Sequence, residues 1–175
     1  MPMTTPMITP NWCRMMAAYN TEMNRRLLAA AARLPDAARR ENRGAFFGSL
    51  HGTLNHLLWG DMQWMSRFDG GEKPPVGGGQ ASTGLEPDFD ALARKRAALD
   101  ARIAGWTAGL SPEWLAGDLT WFSGAAGREV TRPRALLVTH FFNHQTHHRG
   151  QAHALLTAAG EDTGDTDLFL VLDAA

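Results

Sequence analysis

The chain has 175 residues, of which 44% are hydrophobic, and 17 basic and 18 acidic side chains give it a formal charge of −1. This length and apolar content predict one globular domain, residues 1–175. The balanced charge argues against nucleic-acid binding, and no apolar run reaches the roughly 20 residues that span a bilayer. One cysteine and an N-terminal segment unlike a secretory signal favour a soluble protein of the reducing cytoplasm.

Two amphipathic helices are predicted in the first part of the chain. Apolar side chains recur at three- and four-residue spacing from Trp12 to Leu34, and Pro35 ends this stripe. A second stripe runs from Phe47 to Phe68. The segment that follows, DGGEKPPVGGGQASTG, is predicted to be a loop because its glycines and prolines disfavour a helix.

Two further helices are predicted in the second part. Asp88 is the expected N-cap of the third helix, with ARKRAALDAR as its solvated side. SPEWLAG predicts one short helical turn, and DLTWF and REVTR predict a small β-hairpin. The last helix runs from near Pro133 to about Gly160, and the apolar tail DLFLVL is expected to pack against the other helices. Four long amphipathic helices predict an all-α protein, an antiparallel-type four-helix bundle with a hairpin before the last helix.

The segment THFFNHQTHHRGQAHALL, residues 139–156, contains five of the seven histidines. Residues four apart on a helix differ in direction by about 40°, so His140, His144 and His148 share one stripe with Gln151. This stripe continues an apolar line and is predicted to face the core. His147 and His153 fall on other faces and are predicted to lie at the surface.

A buried imidazole needs a partner, and a metal ion can supply one. His144 and His148, at positions i and i+4, can bind one divalent cation from a single helix. The third ligand should come from another helix, where His56 lies within apolar LNHLLW and His51 lies about 140° away in the more polar SLHG. A lone His56 would most often be a core histidine, but together with the i, i+4 pair it is predicted to be a ligand.

Two other polar residues near these histidines have alternative interpretations. His140 could support a ligand or be structural. Asp61 could accept a ring N–H from a ligand and fix its tautomer, or it could pair with Arg67 or Arg149, and the structural interpretation is favoured.

Several apolar residues near the first histidine motif are interpreted mainly as core. Trp59 and Trp64 lie close enough to His56 in sequence to line a pocket beside a metal, although burial is the commoner role of such side chains. Cys13 is interpreted as a small core residue because nothing in the sequence places a base next to it.

The two motifs SLHGTLNHLLWGDMQWMSRF and HFFNHQTHHRGQAHALL together resemble those of the DinB family, and the order of elements agrees over nearly the whole chain. The resemblance implies an up-down-down-up four-helix bundle with a divalent metal, zinc or nickel, held by three histidines. Matched residue by residue, TLNH places one ligand at His56, and NHQTHHRGQ places the others at His144 and His148.

Characterised relatives look like S-transferases or isomerases that use low-molecular-weight thiols such as bacillithiol or mycothiol. The resemblance therefore implies a metal-dependent thiol transferase that acts on a small electrophile. Two alternatives stay open at the level of sequence: a non-catalytic, stress-linked protein with a structural metal, and a metal-dependent hydrolase. A small-molecule substrate or thiol is the expected partner. A homodimer formed through surplus apolar helix faces is also compatible with the sequence.

Overall fold

The computed structural model describes residues 7–124 and 126–173. Within these ranges the chain forms seven α-helices, one 3-10 helix and two strands. In chain order they are α1 (Pro10–Arg33), α2 (Asp36–Arg40), α3 (Leu50–Phe68), the 3-10 helix (Gly79–Gly84), α4 (Phe89–Ala108), α5 (Pro112–Ala116), β1 (Asp118–Ser123), β2 (Arg128–Pro133), α6 (Arg134–Ala158) and α7 (Leu168–Asp173). Among the described residues, no helix combines the length and apolarity that crossing a membrane requires.

Side-chain caps determine where three of the long helices begin. The hydroxyl of Thr9 accepts a hydrogen bond from the backbone N–H of Trp12, so α1 starts two residues before the apolar stripe. Ser49 caps α3 in the same way, which leaves Phe47 outside the helix. Asp88 caps α4, as the sequence predicts.

The four long helices enclose the main apolar core. Helix α1 contacts α4 and α6, and α3 contacts the same two helices. Phe141 and Phe142 are the largest completely buried side chains of this core. The mostly helical fold is confirmed, whereas the up-down-down-up direction of the helices stays a prediction.

The predicted hairpin is confirmed as a two-stranded antiparallel sheet between α5 and α6. Its register pairs Asp118 with Pro133 at the open end and Ser123 with Arg128 near the turn. Helix α6 begins directly after β2 and continues to Ala158. Gly160 follows with a φ of 85°, a left-handed conformation that suits glycine after a helix.

Three short helices were not predicted from the sequence, namely α2, the 3-10 helix and α7. Helix α2 forms directly after Pro35, and the 3-10 helix lies inside the segment that we expected to be loop. The tail does pack against the other helices, as predicted. It forms α7, and Val171 is buried there against Tyr19 and Met23 of α1.

The prediction for the polar side of α4 is wrong at Arg96 and Asp100, since both are buried. Arg96 bridges two carboxylates: its Nη1 lies 2.6 Å from Asp61 and its Nη2 lies 2.7 Å from Asp100. Asp61 therefore pairs with Arg96, and neither Arg67 nor Arg149 is its partner. The sequence missed this pair because an amphipathic pattern assigns charged residues to solvent unless their partner is known.

Amide side chains from α1 extend this buried network. Asn20 and Asn24 donate hydrogen bonds to the carboxylate of Asp100 at 3.0–3.1 Å. The guanidinium of Arg149, from α6, donates in turn to the side-chain oxygen of Asn20. Buried charges persist where they are paired and hydrogen bonded, so this network joins α1, α3, α4 and α6 through polar contacts.

Candidate metal centre

Three histidines converge between α3 and α6. One ring nitrogen from each of His56, His144 and His148 lies within 4.8 Å of those of the other two. The ring centroids are 4.5 Å apart for His56 and His148 and 4.3 Å apart for His144 and His148. The structure thus brings together the three residues that the sequence predicts as ligands, although their binding of a metal stays a prediction.

Hydrogen bonds define which nitrogen two of these rings can offer. The Ser82 hydroxyl donates to the carbonyl oxygen of Gly79 at 2.5 Å, so its oxygen accepts from Nδ1–H of His56 at 2.8 Å. The amide oxygen of Gln151 accepts from Nδ1 of His148 at 2.8 Å. Both rings therefore keep Nε2 free of a proton, because a neutral imidazole carries only one.

The environment also holds the three imidazoles in the neutral form. Burial and the neighbouring His148 lower the pKa of His56 to about 4. Burial and the other histidines around it lower the pKa of His144 to about 3. Burial lowers the pKa of His148 as well. Neutral imidazole is the form that binds a metal, so all three rings are ready to ligate near pH 7.

A close approach between the helices fixes the position of His144. A Cβ atom added to Gly60 would lie 2.6 Å from Cε1 and 3.2 Å from Nδ1 of the His144 ring. Gly60 follows His56 by one helical turn, so the absence of its side chain leaves the space that this ring fills. Nδ1 of His144 is buried and has no hydrogen-bond partner among the described residues.

Aromatic side chains flank the cluster without closing it. Phe47 stacks on His56 with ring centroids 3.8 Å apart, and the Trp59 ring lies 5.9 Å from that of His56. A surface cavity of about 370 Å³ is lined by two of the three histidines together with Phe46, Phe47, Gly79, His147 and Gln151. A small molecule can therefore reach the cluster from solvent.

The donor set fits a divalent metal such as zinc or nickel. It provides three neutral nitrogen donors, two of which already have a hydrogen-bond partner on the other ring nitrogen. Structural zinc sites generally use four protein ligands, whereas three leave positions open for exogenous molecules. The three histidines alone would thus form an open site.

The remaining histidines do not join the cluster. His140 is exposed and packs beside Trp64 at a centroid distance of 5.2 Å, so the prediction that it faces the core is wrong. His147 is exposed, as predicted. His153, which was predicted to be at the surface, is half-buried and lies 2.6 Å from the Thr163 hydroxyl. His51 is buried and hydrogen bonds to the backbone oxygen of Glu86.

Two of the supporting residues could not be assigned from the sequence. Ser82 belongs to the glycine-rich segment, where a serine is an ordinary loop residue. Gly60 sits inside a helix, where an isolated glycine costs about 1 kcal/mol relative to alanine and so signals a close approach. That signal points to Gly60, but it does not identify His144 as the group that approaches it.

Comparison with known proteins agrees with the motifs. No curated protein and no solved structure matched the chain. The model of the DinB family matches residues 3–175, nearly the whole length of the sequence. The match includes α3 and α6, which provide the histidine cluster, and so the chain belongs to the DinB family.

Proposed function

We propose that the protein binds one divalent metal ion through His56, His144 and His148 and that the loaded protein transfers a small thiol to an electrophile. The observation that carries the proposal is the convergence of three neutral imidazoles beside an opening to solvent. A bound zinc or nickel ion would favour the thiolate form of an exogenous thiol. The family resemblance supports a low-molecular-weight thiol as that partner.

The protein's own cysteine is unsuited to be the nucleophile. Cys13 is completely buried, and burial raises the pKa of its thiol to about 11. Its thiolate is therefore scarce near neutral pH. The sulfur that reacts must come from a second substrate, which agrees with an accessible cluster.

The proposed reaction forms one bond and breaks another. The sulfur of the thiol forms a bond to the electrophilic carbon, and the leaving group departs with its electron pair. The thiol proton would pass to the imidazole of His140, which is exposed and lies beside His144 with ring centroids 5.9 Å apart.

The helix arrangement belongs to the same proposal. We infer that α1, α3, α4 and α6 form the up-down-down-up bundle that the family resemblance implies. Their contacts support it, because α1 and α3 each pack against both α4 and α6. In such a bundle the cluster would lie where facing helices meet, a common position for metal sites.

Elemental analysis of protein purified without an affinity tag or chelator tests the metal site. We expect about one zinc or nickel per chain, since three imidazoles form one site, and loss of that metal in His56→Ala. A metal-free wild-type protein, or metal that persists in His56→Ala, would refute the site.

Open coordination and thiol dependence need separate measurements. In the cobalt-substituted protein, added thiol or azide should change the visible spectrum if positions on the metal are open. An unresponsive spectrum would favour a structural metal. Turnover of electrophiles should require added thiol, whereas turnover with water alone would assign the site to a hydrolase.

A further inference from the structure

Arg67 differs from every other buried or half-buried arginine among the described residues. It has neither an ion pair nor a hydrogen bond to protein, although it is half-buried. The others each donate to a carboxylate, an amide oxygen or a backbone oxygen; they are Arg26, Arg39, Arg96, Arg102, Arg134 and Arg149.

Two tryptophans pack against this guanidinium. The Cζ atom of Arg67 lies 4.5 Å from the ring centroid of Trp64 and 5.5 Å from that of Trp121. The two indoles also contact each other, with centroids 5.8 Å apart. Stacking uses the flat faces of a guanidinium, whereas its N–H donors point outward in the plane. The N–H donors of Arg67 have no acceptor among the described residues, so they are available to a ligand.

Arg67 lines a cavity of about 560 Å³ between α3 and the hairpin. Its other described lining residues carry no charge and are mainly aromatic, small or amide: Trp59, Gln63, Trp64, Gly78, Gly79, Trp121, Ser123 and Gly124. The volume lies within the range of small-molecule sites, and a few polar groups on an apolar wall are their usual composition.

This cavity adjoins the histidine cluster. Trp59 lines the cavity and packs against His56, and Gly79 borders both this cavity and the opening to the cluster. His140 connects them from α6, between Trp64 and His144. Helix α3 carries both sites, because His56 and Arg67 are eleven residues apart, about 16 Å along the helix axis.

We propose that this cavity binds a small molecule with a flat apolar body and one oxyanion, which pairs with the in-plane N–H donors of Arg67. The body would stack on the tryptophans and extend toward the histidine cluster. A guanidinium matches a carboxylate or a phosphate through two parallel hydrogen bonds, so the two oxyanions share this chemistry. That this molecule is the substrate rests on the proposed function. Its binding in the cavity can be measured without catalysis.

Binding of model ligands to the full-length, metal-loaded protein tests the proposal. The probes are 3-phenylpropionate, its neutral amide 3-phenylpropionamide, and 2-phenylethyl phosphate, with binding followed by tryptophan fluorescence and calorimetry. Comparing the affinities of the two anions shows whether the cavity prefers a carboxylate or a phosphate. Each should bind at least about tenfold more tightly than the amide, since hydrogen bonds to a charged group are stronger than those to a neutral one.

Variants distinguish binding of the anions by Arg67 from nonspecific attraction of the anions to positive charge. In Arg67→Gln the anions should lose about tenfold or more in affinity and bind no better than the amide. Arg94→Gln removes the same charge from an exposed position outside the cavity and should bind the anions like wild type. Arg67→Lys should show intermediate affinity, because it keeps the charge without the planar fork. Circular dichroism and thermal melting establish that each variant is folded.

A further variant separates the cavity from the metal site. His148→Ala should lose metal yet keep anion affinity within about twofold of wild type. Metal content measured on the same samples reports on the proposed function, so failure of one proposal does not decide the other. Any one of four results would overturn the cavity assignment. They are equal affinity for anion and amide, unchanged affinity in Arg67→Gln, loss of anion binding in His148→Ala, and no saturable binding up to about 10 mM.

Discussion

The buried ionic network and the histidine cluster both place polar side chains between helices, but they differ in how the polar groups are used. In the network, Arg96 is paired with Asp61 and Asp100 at 2.6–2.7 Å. In the cluster, His56 and His148 each use one ring nitrogen in a hydrogen bond and leave the other nitrogen free. Paired polar groups indicate a structural role, whereas converging free lone pairs indicate a site for a ligand.

Exposure separates the two regions in the same way. All three charged side chains at the centre of the network are at most 4% exposed. The cluster borders a cavity that opens to solvent beside Phe46 and Phe47. A ligand from solvent can therefore reach the histidines, whereas the charged side chains of the network are closed off from solvent.

Removal of the central arginine should produce the largest effect on stability. Arg96→Ala leaves two buried carboxylates without their cation and should lower the free energy of unfolding by about 3–5 kcal/mol. Urea denaturation measures this loss. The matched control is Arg102→Ala, whose partner Asp69 is partly exposed, and its cost should stay below about 1 kcal/mol. Equal losses in both variants would show that the network is no more important than a surface pair.

Removal of a cluster histidine should instead affect metal content. His148→Ala should abolish stoichiometric metal binding, because two remaining imidazoles are too few to hold the ion firmly. His153→Ala should leave metal content nearly intact, since His153 lies outside the cluster and hydrogen bonds to Thr163. Metal per chain is measured by elemental analysis after gel filtration. A similar loss in both variants would mean that the histidine-rich segment binds metal nonspecifically.

A supporting hydroxyl should have a smaller effect on the same site. Ser82→Ala removes the acceptor for Nδ1–H of His56 and should weaken metal affinity by about 10- to 100-fold without changing the number of sites. Competition with a metal-sensitive dye measures the dissociation constant. Thr83→Ala is the control, because the Thr83 hydroxyl donates only to the backbone oxygen of Gln80. If Ser82→Ala bound metal with wild-type affinity, the Ser82 hydroxyl would have no role in metal binding.

The smallest effect is expected at Cys13, in the closed part of the core. Its pKa of about 11 leaves roughly one thiol in a thousand ionised at pH 8, and burial also blocks access. A disulfide reagent at pH 8 should therefore leave native Cys13 unmodified but react fully in denaturant. Rising pH should speed the native reaction only as it approaches the pKa, because the thiolate is the reactive form. Rapid native labelling would place Cys13 among the accessible groups.

The fold was largely predictable because its signals are local. Helical stripes, the caps at Asp88 and Gly160 and the strand pattern of the hairpin each depend on a few neighbouring residues. The short helices were missed for a related reason. Helix α2 has only five residues, too few for a hydrophobic period to be recognised.

The sequence by itself determined the mostly helical class, the order of the long helices and the spacing that aligns His144 with His148. Helix periodicity is enough for each of these, since it relates residues of one segment. The tertiary structure confirmed that His56 meets the α6 pair, and only the tertiary structure decided the other contacts across segments: Gly60 with His144, Asp61 with Arg96 and Arg67 with Trp121. These contacts depend on how separate helices and the hairpin pack, and no local pattern encodes the distance between side chains from different elements.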